Sequence, residues 1–381
     1  MRWQIAANLS ANLSDWLKMQ TIFSCPNVPI LQNRVYDSHA EALAAPIGAL
    51  VINFDGDFAW NDRFDPSLMH YDDLYDNSVP SERFNAYYDQ IADHLANSYD
   101  LSSGPVIDVG CGKGTFLKRM ANRYQINGLG IDPSYVGPSQ IGNLQFVAEE
   151  FDRSHIQVAP SLVICRHTLE HIPDPSNFLK RVLDELPKKT AIPVFCEVPD
   201  LGWIVDHGCW WDFCYEHVNY FTHSSFERCV REAGCSSVKV SGAFGGQYLW
   251  AEGIANTKVA EGFKETGRAD RLADMTLIVE HAIAGISNRI GNRKLVIWGM
   301  ATKGVMFALH AQRLGLKIFC GVDINASKQG RFAPVSGIRI AAPEELPTGE
   351  RYAIICMNPN YAKEIRTTLD EMALDFVLLE P

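Results

Sequence analysis

The stretch Val106-Ile-Asp-Val-Gly-Cys-Gly-Lys-Gly-Thr-Phe-Leu117 predicts the fold of the central part of the chain. It follows a Gly-Pro turn and begins with an apolar run, residues 106–109, that is long enough for a buried strand. Glycines then occur at alternate positions, 110, 112 and 114, and a helix-forming segment begins at Thr115. Strand, glycine turn and helix form a βα unit in which the glycines let a ligand approach the backbone closely.

Two carboxylates indicate what that ligand is. A second predicted strand, residues 128–132, ends in Asp132, which can accept hydrogen bonds from ribose hydroxyls. Asp108, at the end of the first strand, would repel the pyrophosphate of a nicotinamide dinucleotide. It suits a cationic ligand instead, such as one that carries an amino group and a sulfonium. The structural alternative is a tight turn that packs helix on strand and binds nothing.

The pattern D-x-G-x-G-x-G followed by Asp132 resembles the class I S-adenosylmethionine-dependent methyltransferases over about the middle half of the chain. The resemblance implies a Rossmann-like α/β sheet with S-adenosylmethionine as the cofactor. It also implies a set of cofactor-binding residues: Asp108, Gly110, Cys111, Gly112, Asp132 and Pro133.

Composition limits the other functions. The chain has 381 residues, enough for two or three domains, and a net charge of −11, which predicts no broad nucleic-acid surface. It has no apolar run long enough to span a membrane and no signal-peptide pattern at its start. Its ten cysteines include no C-x-x-C pair, which favours reduced thiols in a cytoplasm. We therefore expect a cytoplasmic protein with a small-molecule partner, neither nucleic acid nor membrane, as a monomer or a dimer.

Two further strands carry candidate residues at their ends. Residues 144–147 precede Glu149 and Glu150, one of which could reach the cofactor's adenine; an acidic solvated loop is equally consistent with them. Residues 161–165 precede His167 and His171. Because ligands bind beyond the carboxyl ends of parallel strands, these histidines are expected near the methyl donor and the acceptor.

A second concentration of unusual residues lies at 210–222, where Glu216 and His217 stand among two tryptophans, two tyrosines and two phenylalanines. One interpretation is an aromatic dimer interface or core plug. The other is a mostly apolar acceptor pocket in which Glu216 orients His217 and raises its basicity.

The two ends of the chain are less informative. Residues 2–18 could be a helix, and residues 71–78 are either a solvated loop or a lid over the site. Residues 257–290 read as one or two helices, after which a new βα pattern begins with a strand at 294–298. This second α/β domain places Lys303 at a helix N-terminus, where it would suit a phosphate.

Several motifs resemble the C-methyltransferases of nucleotide-linked keto-deoxysugars. They are His171-Ile-Pro, Glu216-His217-x-x-Tyr220-Phe221, Trp298-Gly-Met-Ala-Thr-Lys-Gly304, Val322-Asp-Ile-Asn-x-x-Lys-Gln-Gly330 and Met357-Asn-Pro-Asn-Tyr361. The resemblance implies that His217 is the general base and that His171 and Tyr75 assist at the acceptor. It extends to a catalytic role for Glu216 and to substrate binding by Lys303, Tyr220 and Asn358.

The chain departs from that family at two places. The family's N-terminal zinc module has four cysteines, whereas only Cys25 stands here, so no metal is predicted. The family's tyrosine three residues before the histidine is Cys214 here; Tyr215 is the neighbouring candidate, although it would face the other way on a strand.

The sequence thus predicts three parts: an N-terminal lid or substrate region (1–85), a methyltransferase domain (86–255), and a smaller C-terminal Rossmann-like domain with its linking helix (256–381). The predicted reaction is C-methylation alpha to a ketone with a histidine base. The alternatives are O- or N-methylation of another metabolite, or a donor-binding protein without transferase activity.

Overall fold

The computed structural model describes residues 19–72, 74–188, 190–255, 272 and 274–380, which contain three β-sheets. The strands are β1 (Gln20–Pro29), β2 (Ile47–Phe54), β3 (Phe58–Asn61), β4 (Val106–Val109), β5 (Gly128–Ile131), β6 (Gln140–Ile141), β7 (Leu144–Val147), β8 (Leu162–Arg166), β9 (Ile192–Pro199), β10 (Asn219–Phe221), β11 (Ser236–Ala243), β12 (Tyr248–Ala255), β13 (Lys294–Trp298), β14 (Ile318–Val322), β15 (Ile340–Ala341), β16 (Arg351–Cys356) and β17 (Asp375–Leu379).

The α-helices of these residues are α1 (His39–Leu43), α2 (Glu82–Ser98), α3 (Thr115–Tyr124), α4 (Pro175–Asp184), α5 (Leu201–Asp206), α6 (His223–Glu232), α7 (Met275–Ile290), α8 (Thr302–Arg313) and α9 (Ala362–Glu371). In this part of the chain, none of the helices has the length and apolar character needed to cross a bilayer.

The central sheet has eight strands in the order β11-β12-β9-β8-β4-β5-β7-β6. The inner strands run parallel, and β12 pairs antiparallel with β9. All four residues of β4 are buried. Ile107 and Val109 pack into the core on one face of the sheet and Val106 into the core on the other. This explains why all residues of the run except Asp108 are apolar, because strands covered on both faces have no solvated side. The predicted α/β class, with a Rossmann-like sheet and a second smaller parallel sheet, is confirmed.

The turn after β4 needs its glycines. Gly110, Gly112 and Gly114 have φ angles of +77°, +53° and +70°, in the region that glycine tolerates best. A Cβ atom on Gly110 would lie 2.1 Å from the hydroxyl of Thr168, whereas one on Gly112 would meet nothing within 4 Å. The backbone at Gly112 therefore borders open space.

The N-terminal region contributes an antiparallel sheet with the order β1-β2-β3-β10. Its edge strand β10 comes from residues 219–221, where Asn219 pairs with Trp60 and Phe221 with Phe58. This sheet was not predicted from the sequence. The helix predicted for residues 2–18 lies outside the described residues.

The C-terminal sheet is parallel throughout, in the order β15-β14-β13-β16-β17. Strand β13 has the predicted bounds, and α7 occupies the last part of the segment predicted to be helical. Most of that segment before α7 is outside the described residues. The buried amides of Gln247 and Asn358 exchange two hydrogen bonds, of 2.7 and 2.9 Å, and so join this sheet to the central one.

Candidate functional site

The cofactor end of the site is built from the ends of β4 and β5. Asp132 accepts the N–H of Gly112 through Oδ2 at 2.8 Å, and its Oδ1 accepts the N–H of Ser134 at 2.8 Å. Asp108 is buried (3% exposed) at the end of β4. Burial raises the pKa of Asp108 to about 7, against the lowering effect of Arg166. Since burial disfavours the charged form of this carboxylate, a cationic ligand beside it would be stabilising.

These residues fit S-adenosylmethionine. The buried carboxylate of Asp108 suits the ligand's positive charge, Asp132 stands where ribose hydroxyls can compete for its oxygens, and Gly112 leaves room for the ligand. Cys111 and Pro133 flank the same space, Cys111 half-buried and Pro133 exposed. Glu149 is 71% exposed, with its Oε2 3.3 Å from Nε2 of His155, and therefore lies at the rim of the sheet.

His167 follows β8 with a φ of +49° and lies between two carboxylates. Its Nδ1 is 3.4 Å from Oε1 of Glu170, and its Nε2 is 3.3 Å from Oε2 of Glu197. Burial lowers the pKa of His167, but the combined effect of Glu197 and Glu170 is larger and raises the pKa to about 9. This position between two buried carboxylates favours the imidazolium form of His167, and its contact with the cofactor stays a prediction.

Sequence reasoning missed the network around Glu197. This fully buried carboxylate accepts Nε of Arg166 at 2.6 Å, and Nε1 of Trp250 at 3.2 Å. Tyr87 donates to it as well, and Trp250 donates to the Tyr87 hydroxyl at 2.7 Å. The members are distributed over four separate segments, so no local spacing indicates that they meet. Together they hold the end of β8, where the histidines begin.

At the acceptor end, four of the predicted catalytic residues come together. Nδ1 of His171 donates to the backbone carbonyl of Glu216 at 2.8 Å, and the rings of His171 and His217 are 4.9 Å apart. The Tyr75 hydroxyl donates to Oε2 of Glu216 at 2.6 Å, and the N–H of Gln32 donates to Oε1 at 2.7 Å. Three stretches that are distant in sequence thus meet at the carboxyl end of β8.

The predicted pairing of Glu216 with His217 is wrong. The Glu216 carboxylate faces the N-terminal region, because it accepts hydrogen bonds there from the Tyr75 hydroxyl and the N–H of Gln32. Burial and His171 lower the pKa of His217 to about 3, and the carboxylate that opposes them is Glu170. The expected upward shift is therefore replaced by a strong downward one.

Two predicted tyrosines are structural. The Tyr215 hydroxyl accepts the N–H of Asp65 at 2.9 Å, in the core of the N-terminal region, and does not reach the histidines. The Tyr220 hydroxyl accepts the N–H of Cys214 at 3.1 Å and donates to its carbonyl at 3.0 Å. Tyr220 thus closes the loop that carries Glu216 and His217, and no acceptor contact is left to it.

Asn358 is also occupied, by the amide exchange with Gln247 described above, so it joins two sheets rather than binding substrate. Lys303 lies at the start of α8 as predicted, and its ammonium pairs with the carboxylate of Asp212. The side chains of this pair are 21% and 17% exposed. Lys303 is therefore partly accessible to solvent, unlike the buried side chains of Tyr220 and Asn358.

The aromatic residues at 210–213 form a core plug. Trp210, Trp211 and Phe213 are buried, and the Trp210 ring stacks on Phe307 of α8 at 5.8 Å. The pocket interpretation is wrong for these rings, because they pack between the N-terminal sheet and α8. Only the polar residues that follow them face the site.

Residues 71, 72 and 74–78, which we call the cover segment, lie over both ends of the site. Asp76 pairs with Lys113 of the glycine turn at 3.0 Å and accepts the Ser327 hydroxyl at 2.7 Å. Tyr71 lies 4.8 Å from the Tyr75 ring, and partial burial and Glu216 raise its pKa. These contacts hold the segment against the glycine turn and Glu216, and its role as a lid stays a prediction.

Replacing Asp132 with alanine is expected to weaken S-adenosylmethionine binding by about 1.5–3 kcal/mol, because a charge-assisted hydrogen bond is lost. Calorimetry on the folded variant measures this. Ser134→Ala is the matched control, since it removes the hydroxyl that bonds Asp132 Oδ1 at 2.6 Å and keeps the carboxylate. Unchanged affinity in Asp132→Ala would show that the ribose is held elsewhere.

Comparison with known proteins agrees with the geometry of the cofactor end. Residues 81–240 match the family model of a methyltransferase domain. No curated protein matches the chain. Magnesium protoporphyrin IX methyltransferase from Synechocystis PCC 6803, solved with bound SAH, is 15% identical over 47% of this chain and 90% of its own, with a TM-score of 0.36. N,N-8-amino-8-demethyl-D-riboflavin dimethyltransferase from Streptomyces davawensis is 17% identical over 46% of this chain and 56% of its own, with a TM-score of 0.34.

The family match, the strand order and the carboxylates around the glycine turn lead to one conclusion. Residues 81–240 form a methyltransferase domain, and the protein is an S-adenosylmethionine-dependent methyltransferase.

Proposed function

We propose that the enzyme methylates a carbon alpha to a ketone in a small acceptor, a nucleotide-linked keto-deoxysugar. The supporting observation is the convergence of Tyr75, His171 and His217 at the carboxyl end of β8, next to the cofactor turn. In an open α/β sheet, this edge is where ligands bind. The motif resemblance supplies the acceptor class, and the cluster supplies groups that such a reaction needs.

His217 is the proposed base. Its low pKa keeps the ring neutral at physiological pH, so a nitrogen lone pair is available for the alpha proton. Accepting the proton creates an imidazolium in a buried place, which costs free energy. Glu170 raises the pKa of His217 and so stabilises that imidazolium. Glu216 does not orient His217. Instead it positions the Tyr75 hydroxyl and the backbone at Gln32.

The enolate oxygen needs a donor. The Nδ1–H group of His171 already donates to the Glu216 carbonyl. In the neutral ring, Nε2 of His171 is therefore an acceptor and cannot donate to the enolate. The Tyr75 hydroxyl is given to Glu216. Tyr71 remains, because its hydroxyl has no hydrogen bond within the described residues and its raised pKa keeps it protonated. A hydroxyl aimed at the developing oxyanion acts where stabilisation is worth most. S-adenosylmethionine supplies the electrophilic methyl group for the carbon.

Lys303 is the proposed contact for the nucleotide's phosphates. It lies in the first turn of α8, and no side chain caps that helix end. The free backbone N–H groups and the lysine together favour an anion. A diphosphate would then compete with Asp212 for the ammonium.

The test is mass spectrometry of products from nucleotide-linked keto-deoxysugars with a labelled methyl donor in deuterated water. We expect a methyl on carbon, and exchange of the alpha proton that His217→Asn abolishes. The matched control is the same sugar with its ketone reduced to an alcohol, which cannot form an enolate and should gain no methyl. A methyl on oxygen or nitrogen, without exchange, would refute the proposal and favour O- or N-methylation.

A further inference from the structure

We propose that Glu170, His171 and His217 form a binding site for a first-row divalent cation, of the zinc or cobalt type. Each residue offers one ligand atom, and the three atoms lie within 4.8 Å of one another. The three side chains come from the short turn Leu169–His171 after β8 and from the loop before β10. The prediction of no metal rested on the absence of closely spaced thiolates, and this site contains none.

Glu170 provides an independent sign of a missing ligand. The residue is 1% exposed, and its Oε1 lies 3.4 Å from Nδ1 of His167. Its other oxygen, Oε2, is buried without a hydrogen-bond partner in the described part of the chain. A buried polar atom of a charged group is rarely left unsatisfied in a native protein. A cation at this point would satisfy it.

The histidines are presented as metal ligands usually are. His171 gives its Nδ1 proton to the Glu216 carbonyl at 2.8 Å, which fixes the tautomer and leaves the Nε2 lone pair for a cation. Metal-binding histidines almost always make such a bond with their other nitrogen. His217 makes no ring hydrogen bond within the described residues, so no other hydrogen bond there occupies the ring nitrogen that it offers to a cation.

The donor set points to a class of metal. Two imidazoles and one carboxylate suit zinc, cobalt and iron(II), whereas magnesium and calcium prefer oxygen ligands alone. Ligand atoms around a tetrahedral zinc ion lie about 3.4 Å apart, so small rotations of the three side chains would close the site. Three protein ligands also leave positions open for a water molecule or an acceptor oxygen.

Occupancy of the site has a consequence that rests on the proposed function. A cation bound to His217 uses the lone pair that would accept the alpha proton, so metal binding and base catalysis exclude each other. The cation would therefore inhibit the transferase, and a chelator would restore its activity.

The test uses the full-length protein after treatment with a chelator. Titration with Co²⁺, followed by its visible absorption, and with Zn²⁺, followed by calorimetry, should show one site per chain. Glu170→Gln and His171→Gln are each expected to weaken binding by about 100-fold, whereas His281→Gln on the exposed face of α7 should not. Binding of S-adenosylhomocysteine, measured for each variant, shows that the fold is kept.

Equal cobalt affinity in the parent and in both site variants would overturn the proposal, as would the failure of the parent to bind Co²⁺ or Zn²⁺. The titration needs no acceptor. A protein that binds one cation through Glu170 and His171 but transfers no methyl to carbon would contradict the proposed function and support the cation site.

Discussion

His217→Asn is expected to lower turnover by about 10²–10⁴-fold without changing the affinity for S-adenosylmethionine. Asparagine approximates the size of the ring but cannot accept the alpha proton. The cofactor residues Asp108 and Asp132 lie at other strand ends, so binding of the donor should be unaffected. Steady-state turnover and calorimetry measure the two quantities, with His281→Asn as the control. Turnover near that of the parent would assign base chemistry to His171 or a tyrosine.

The pH profile tests the same residue. The pKa of His217 is lowered from its ordinary 6.5 to about 3, mainly by burial. The neutral, active form is therefore fully populated above about pH 5, and turnover should show no inflection from this ring between about pH 5 and 8. An inflection near 6.5 in the parent that is absent in the Asn variant would show that the ring is solvated.

Glu197→Gln is expected to reduce the free energy of unfolding by about 3–5 kcal/mol, because the buried Arg166 guanidinium loses the charge that compensates it. The 2.6 Å pair has side chains only 6% and 0% exposed, so water cannot easily replace the carboxylate. Urea denaturation measures the change, and Glu149→Gln, at an exposed carboxylate, is the matched control. A change below about 1 kcal/mol would mean that water hydrates Arg166 in the variant.

This stabilisation should depend on pH in a definite direction. Burial opposes ionisation of Glu197, but Arg166 and His167 lower its pKa to about 2, below that of an unfolded glutamate. The contribution of the charge is thus complete above the unfolded pKa of about 4.3 and disappears as pH falls through about 2. The difference in stability between parent and variant should be constant above about pH 5 and shrink between about pH 4 and 2.

The sequence predicted well what local pattern determines. The run at 106–109 and the three glycines form a strand and turn because each constraint, apolar burial and positive φ, acts within a few residues. The strand at 294–298 is defined by the same kind of signal. Motif spacing likewise identified Asp108 and Asp132.

What depends on distant packing was not predictable. The direction of the Glu216 carboxylate is set by the N–H of Gln32 and by Tyr75, residues 184 and 141 positions away. Glu170 lies between His167 and His171 in the sequence. That its Oε2 is buried without a hydrogen-bond partner among the described residues follows only from the three-dimensional structure. The N-terminal sheet was missed because its irregular pairing of β1 with β2 gives no clean alternation of polar and apolar residues.

Strand β10 limits how far the chain can be divided into independent pieces. It completes the N-terminal sheet through Trp60 and Ala59, yet it begins two residues after His217 within the methyltransferase segment. An excised fragment of residues 86–255 would expose an unpaired strand edge and would be prone to aggregate. Folding of the N-terminal sheet and placement of the histidine should then be one cooperative event. In a fragment that lacks the N-terminal sheet, activity would be lost even though every motif of the cofactor turn is present.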